Sequence, residues 1–217
     1  MPRLLRQLAI LVVLALPLAA VRAGDDPDFV EGIEYRAIRP PLPTTAGPGQ
    51  VEVTELFWYG CPHCYRLEPH LEKWVAGLPK DVVFRRVPAL FRPVWKLHGA
   101  AYYTARLLGV ADRIHRPLFD AIHKDRRPLN TPEALADFFA GHGVDREKFL
   151  AVFDSFAVRT RLAQAEDYVR ASGADSVPTL IVNGKYLTNA SMNGGSRERL
   201  FEVLDYLLAR ERKAAGS

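Results

Sequence analysis

The chain reads as an α/β fold interrupted by an inserted all-helical subdomain. Three observations predict this. A run of branched and aromatic residues from Val51 to Tyr59 gives way after Gly60 to apolar residues at three- and four-residue spacing, the pattern of a strand feeding a helix. From Val94 to about Ala171 the helical period dominates. Strand patterning then returns at Thr179–Val182 beside Asn183-Gly184, the strongest short hairpin signal.

The first strand is short, around Tyr35 to Ile38. Pro40, Pro41, Pro43 and Gly47-Pro48-Gly49 follow it, which predicts an edge strand and an irregular connection. Val51 to Tyr59 is the central strand. Pro62 falls at the first position of the next helix, where a missing N–H costs nothing, so Cys61 sits at the helix N-terminus. Leu67, Leu71, Trp74, Val75 and Leu78 form that helix's inward stripe, and Pro69 is expected to kink it. Asp81 to Val87 is the next strand, so Cys61-Pro62-His63-Cys64 occupies the loop of a strand-helix-strand unit, where α/β folds build sites. The Arg85-Arg86 and Arg126-Arg127 pairs are most simply solvated surface, although a strand arginine can also face a site.

Within the helical block, Leu97, Ala101, Ala105 and Leu108 make one stripe. Thr131-Pro132-Glu133 opens a second helix by a cap and a first-turn proline, with Leu135, Phe138 and Phe139 inward. Asp145 caps a third around Phe149, Leu150 and Phe153, and a long fourth runs from Ser155 to Ala171. Lys185 to Leu187 completes the hairpin. A final helix from Ser196 to about Arg212 packs Leu200, Phe201, Leu204, Leu207 and Leu208 on one side.

The N-terminus carries Arg3 and Arg6, an apolar stretch from Leu8 to Val21, and Val21-Arg22-Ala23. This is the shape of a secretory signal peptide over residues 1–23, with cleavage before Gly24. The apolar run is too short to cross a bilayer comfortably. Removing Arg3, Arg6 and Arg22 lowers Lys+Arg from 29 to about 26 against 25 Asp+Glu, a net charge of about +1 in place of +4. The basic balance is therefore largely a targeting signal and gives no reason to expect a nucleic-acid partner. Export also places the cysteines where disulfides form and persist.

There are 2 cysteines, three positions apart. A thiolate is the nucleophile of disulfide exchange, and a second thiol one helical turn away can displace or receive the mixed disulfide. A structural zinc site wants four ligands, and no second Cys-x-x-Cys half is present; no metal is expected. Haem attachment needs His after the second cysteine, where Tyr65 stands. A purely stabilising bridge across two residues would remove little loop entropy.

The Cys61-Pro62-His63-Cys64 sequence at the first helix, the upstream Glu55, Val177-Pro178-Thr179 just before the hairpin and Asn183-Gly184-Lys185-Tyr186 resemble a thioredoxin-like fold of the DsbA family. So do the roughly 114 positions between Cys64 and Pro178, where a bare crossover needs about 30. The resemblance spans nearly all of residues 30 to 210. It implies a thioredoxin-like domain over 24–91 and 172–217, with the helical subdomain over 92–171. It also implies a monomeric, periplasmic thiol:disulfide oxidoreductase. Such an enzyme donates its Cys61–Cys64 disulfide to reduced, unfolded secreted proteins and is reoxidised by a DsbB-like, quinone-linked membrane oxidase, with no cofactor beyond the disulfide.

On this reading Cys61 is the exposed attacking sulfur. Unpaired N–H groups and the positive end of the helix dipole favour its thiolate, and His63 adds positive charge or a hydrogen bond. A stabilised thiolate stabilises the reduced form and makes the disulfide more oxidising. Cys64, one turn inward, is the resolving cysteine. By resemblance Pro178 is cis, and lacking an N–H it lets a sulfur approach beside Val177. Glu55, six residues before Cys61, resembles the family's buried acid and could pass protons to Cys64; on an alternating strand it could equally face solvent. Leu67, Met192 and the surroundings of Pro178 are candidates for an apolar groove that holds unfolded chains. A disulfide isomerase of this fold would need an N-terminal dimerisation domain, and about 37 residues between Gly24 and Cys61 leave no space for one. A holdase that uses its cysteines structurally is the reading from another class.

Overall fold

The computed structural model describes residues 29–215, so the expected signal over 1–23 lies outside the described residues. The elements run β1 (Arg36–Ala37), β2 (Val51–Phe57), α1 (Pro62–Ala76), β3 (Val82–Pro88), α2 (Pro93–Leu107), α3 (Ala111–His123) and α4 (Pro132–Ala140). They continue with α5 (Arg146–Phe153), α6 (Phe156–Ser172), β4 (Thr179–Val182), β5 (Tyr186–Thr188) and α7 (Arg197–Ala215). The five strands lie in the order β1-β5-β4-β2-β3, with β2 and β3 parallel and the other pairs antiparallel. β2 is thus an interior strand, between β4 in the middle of the sheet and β3 at its edge, and every one of its seven residues is buried.

Helices cover both faces of this sheet. Val51, Val53, Leu180 and Val182 pack against α1 and α7, while Leu56, Val87, Ile181 and Leu187 pack against Ala165, Tyr168 and Val169 of α6. A third apolar cluster, built by α2 to α5, begins at Phe57 and Tyr59 and takes in both cysteines. The core of the helical block is therefore continuous with the end of β2 where the cysteines sit.

Local chemistry accounts for the element ends. The hydroxyl or carboxylate of Thr131, Asp145 and Ser155 accepts from Ala134, Lys148 and Val158 N–H at 3.1, 2.7 and 3.3 Å, capping α4, α5 and α6. Asn183 and Gly184 both adopt positive φ (51° and 65°) at the centre of the tight turn that the Lys185 N–H closes on the Val182 carbonyl at 2.9 Å, with Val182 pairing Tyr186. Gly184 has a second constraint, since a Cβ there would meet the Leu42 carbonyl oxygen at 2.3 Å.

Two expectations are corrected. The sequence reading placed four helices between Val94 and Ala171, and there are five: α3 went unassigned because Pro117 and the charged face around Asp112, Arg113 and Arg116 masked its Ile114, Leu118, Phe119 stripe. Arg85 and Arg86 are not solvated surface. Arg86 stands directly across from Glu55 in the parallel β2–β3 register, and its Nε–H donates to Glu55 at 2.9 Å, while Arg85 Nε lies 2.8 Å from fully buried Glu52. Carboxylates on a buried strand need such partners, because an unpaired buried charge is expensive. α1 continues through Pro69 without a break in its span.

Candidate active site

β2 ends at Phe57, and the chain turns through Trp58, Tyr59 and Gly60 into α1. Cys61 is the N-cap of that helix: its backbone is extended (φ −85°, ψ 116°) and its sulfur accepts the Cys64 N–H at 3.4 Å. Pro62 takes the first helical position, and the first turn holds no acidic residue, so nothing opposes the positive end of the helix dipole at the sulfur. His63 is exposed, with its Nδ1 3.1 Å from the Arg66 guanidinium. The hydrogen bond from the Cys64 thiol, then the amides of Cys64 and His63 and the charge of His63, outweigh burial and bring the Cys61 pKa from 9.0 down to about 6. Burial, and after it the hydrogen bond to Cys61, drive the Cys64 thiol the other way, well above its ordinary value. Two thiols one turn apart therefore carry opposite tendencies, one toward the thiolate and one toward the thiol.

Cys61 is less open than the sequence suggests, at 6% exposure, and Cys64 is fully buried. The cover comes from across the fold. The peptide between Val177 and Pro178 is cis, and the Cys61 thiol donates to the Val177 carbonyl at 3.5 Å. Val177 also packs against the apolar cluster that holds both cysteines. Cys61 and Cys64 thus lie beside the Val177-Pro178 segment at one end of the sheet.

A cluster of charges and a phenol is buried beside them. Glu55 and Glu68 are both fully buried and share Arg86, which donates to them at 2.9 and 2.5 Å. His115 adds Nε2 at 3.2 Å from Glu68, and its Nδ1 lies 2.9 Å from the Tyr59 hydroxyl. Burial and the charge of Glu68 raise the Glu55 pKa to about 8, against the pull of Arg86. Glu68 falls below its usual range despite burial, held there by His115 and Arg86. One guanidinium cannot neutralise two carboxylates, so the proton resides on Glu55, next to a thiol whose sulfur must gain and lose one. Glu55 does not face solvent; the alternation places Val51, Val53 and Glu55 on one face, but that face lies under α1.

The helical block fastens the turn that carries the cysteines. Trp58 Nε1–H donates to His98 Nδ1 at 3.0 Å, and His98 Nε2 lies 3.0 Å from the Leu129 carbonyl, so the ring donates from Nε2 and stays neutral, its pKa lowered by burial. His123 Nε2 sits 2.7 Å from the Tyr59 carbonyl and its ring stacks on Tyr65, whose hydroxyl donates to Asp120 at 2.8 Å. Trp58 also stacks on Trp95 at 4.2 Å.

Sequence reasoning missed Glu68, His98, His115 and His123 as site neighbours, and left Arg86 open between solvated surface and a residue facing the site. For Glu68 and His115 a signal existed, because each charged residue occurs within an otherwise apolar helical stripe, next to Leu67 and Ile114 respectively. Leu67 does not line a groove: it is 3% exposed, on the same buried face of α1 as Cys64, and packs in the core between the sheet and α7. Met192 is half-buried against the opposite sheet face with Ile38 and Leu42.

Comparison with known proteins is consistent with this geometry. The DSBA-like thioredoxin domain profile matches residues 95–203, which includes the helical block and the hairpin. A thiol:disulfide interchange protein DsbA from Pseudomonas aeruginosa is 43% identical over 97% of this chain and 99% of its own length. One from Azotobacter vinelandii is 45% identical over 86% of each. The crystal structure of Pseudomonas aeruginosa DsbA superposes with a TM-score of 0.82 at 45% identity, covering 88% of this chain and 98% of that one. With one sulfur biased toward the thiolate, its partner toward the thiol, and relatives aligned end to end, the chain belongs to the DsbA family of thioredoxin-like thiol:disulfide oxidoreductases.

Proposed function

We propose that this protein is a periplasmic disulfide donor, which passes the Cys61–Cys64 disulfide to reduced, newly secreted proteins. The observation that carries the direction is the contrast between the two sulfurs at the start of α1, with Cys61, the N-cap, stabilised as a thiolate. Whatever stabilises the Cys61 thiolate stabilises the reduced enzyme, so the disulfide gives up its oxidising equivalents readily.

A substrate thiolate attacks Cys61 Sγ; the Cys61–Cys64 bond breaks, and the Cys64 sulfur leaves and takes up a proton, for which protonated Glu55 is the supply. A second substrate thiolate then attacks the substrate sulfur of the mixed disulfide and releases Cys61 as the thiolate. The substrate has lost two electrons and gained a disulfide; the enzyme has gained both. Val177 offers its backbone beside Cys61, where an extended substrate strand can pair, and Pro178 leaves no N–H there to compete. His63 steadies the anion, and Pro62 fixes the helix start. The sulfurs carry the electrons, so the reaction needs no cofactor. One chain completes the site, in keeping with a monomer. A DsbB-like, quinone-linked membrane oxidase restores the disulfide by taking the two electrons back. The N-terminal pattern over 1–23 supports export to the periplasm.

The test uses two variants. Cys64→Ala is expected to accumulate a mixed disulfide with a reduced model protein, seen as a mass increase, and Cys61→Ser to form none. Mixed disulfides on Cys64 in the Cys61→Ser protein at the wild-type rate would overturn the assignment of the two sulfurs.

A further inference from the structure

A groove of about 800 Å³ runs between β3, α2 and α6, with the Leu42 to Thr45 connection along one side. None of its lining residues belongs to the Cys61–Cys64 turn or to the Val177-Pro178 loop. Its walls are apolar and aromatic, from Phe84, Tyr102, Tyr103, Leu107 and Tyr168, and Leu107 is left 44% exposed. Into the same groove come four arginines. Two of them are committed, Arg85 to Glu52 with its guanidinium 4.5 Å over the Tyr168 ring, and Arg86 to Glu55 and Glu68.

The other two are not. Arg106 on α2 and Arg161 on α6 are exposed, and their side chains make no hydrogen bond or ion pair among the described residues; neither does the hydroxyl of Tyr103 on the same lining. The one acid on the lining, Asp167, is engaged by Arg170 at 2.5 Å. The groove thus presents uncompensated positive charge on two walls above a floor of aromatic rings. A single small anion would satisfy one arginine and leave the apolar floor wet. Carboxylates on two walls, with apolar side chains between them, are the chemistry that fits, and the volume lies within the 300–1,000 Å³ range of ligand-sized clefts.

We propose that this groove binds an acidic, apolar stretch of polypeptide in extended form, as a holding site for substrate chains separate from the cysteines. The polypeptide occupant rests on the reading that the substrates are unfolded secreted proteins. Charge attraction brings the segment in, and burial of its apolar side chains on the tyrosines retains it.

The experiment measures binding of a cysteine-free peptide, acetyl-Phe-Asp-Glu-Leu-Asp-Phe-amide, to the full chain by calorimetry. NMR of the tyrosine and arginine side chains locates it. The expected result is saturable binding that weakens at least about tenfold in Arg106→Gln/Arg161→Gln, recovers in Arg106→Lys/Arg161→Lys, and weakens equally when Asn and Gln replace the peptide's acids. Both arginines are exposed, so these variants keep the fold. Equal binding to wild type and Gln variant overturns the proposal, as does the absence of binding at millimolar peptide. Inorganic phosphate or phosphatidylglycerol vesicles that displace the peptide and bind with the same arginine dependence and higher affinity would make this an anion or lipid site and also overturn it. Cys61→Ser is expected to bind the peptide unchanged, and oxidation of a small reduced dithiol by the Gln variant is expected at the wild-type rate. A failure of the groove is thereby distinguished from a failure of the redox reading.

Discussion

Removing the Cys61 thiol alters how the stability of the reduced protein responds to pH, and the size of the change follows from the site. The thiol ionises near pH 6 in the folded dithiol form and at its ordinary 9.0 when the chain unfolds. A depressed folded pKa adds stability that is complete above pH 9 and is lost as pH falls through 6. Between pH 8 and pH 5 the reduced wild type should lose about 2.6 kcal/mol from this group, at about 1.36 kcal/mol per pH unit. Solvent screening reaching the N-terminus of α1 reduces the figure to as little as half, so the expected loss is about 1.3 to 2.6 kcal/mol. Cys61→Ser has no such loss. Glu55 titrates in the same window with the opposite sign: its folded pKa is raised, so its stabilising share is full below its unfolded value and falls as pH climbs toward 8. Most of that share, set by burial and by Glu68, is common to both proteins and cancels in the comparison; the charge of Cys61, the smallest of its causes, is missing from Cys61→Ser. With a urea slope of about 2.5 kcal/mol/M, the midpoint difference between reduced wild type and Cys61→Ser should shrink by about 0.5 to 1 M from pH 8 to pH 5. Midpoints that move in parallel across that range would refute the claim that the fold stabilises the thiolate.

Glu55→Gln is expected to slow disulfide exchange with little loss of fold, and to remove the inflection near pH 8 from the rate profile; stopped-flow exchange from pH 5 to 9 reads both. His63→Ala should make the disulfide less oxidising by roughly 3- to 10-fold in the equilibrium constant, a modest effect because the charge of His63 ranks below the hydrogen bonds to the sulfur, and redox titration against glutathione measures it. Gly184→Ala forces a Cβ against the Leu42 carbonyl at positive φ, and should lower stability by at least about 2 kcal/mol and the melting temperature by about 4 to 8 °C.

The redox pair and its setting were legible because the signals are local. Pro62 after Cys61 announces a helix start, Asn183-Gly184 announces a hairpin, Thr131 and Asp145 announce caps that form as expected, and Ser155 marks the start of a helix that it also caps. What escaped the sequence depends on register and on contacts between distant segments. Arg86 reads as a surface cation until the parallel pairing sets it across from Glu55. Glu68 and His115 are separated by about 47 positions, and only the packing of α3 on α1 puts them at 3.2 Å. The same packing explains the helical insertion: His98, His115 and His123 each reach the Trp58-Tyr59 turn, so the insertion serves as the clamp that fixes where Cys61 begins its helix. No local pattern encodes the Arg106 and Arg161 groove either, since its walls come from α2 and α6, more than fifty residues apart.

The central claim is that this protein gives its disulfide away. Its most direct test is the equilibrium between the oxidised protein and glutathione, followed by the fraction of Cys61 that reacts with an alkylating reagent. The Cys61–Cys64 disulfide is expected to be reduced at glutathione levels well below those that would reduce an ordinary structural disulfide. A disulfide that stays intact in millimolar glutathione would mark a reductase-like or structural bridge and contradict the account.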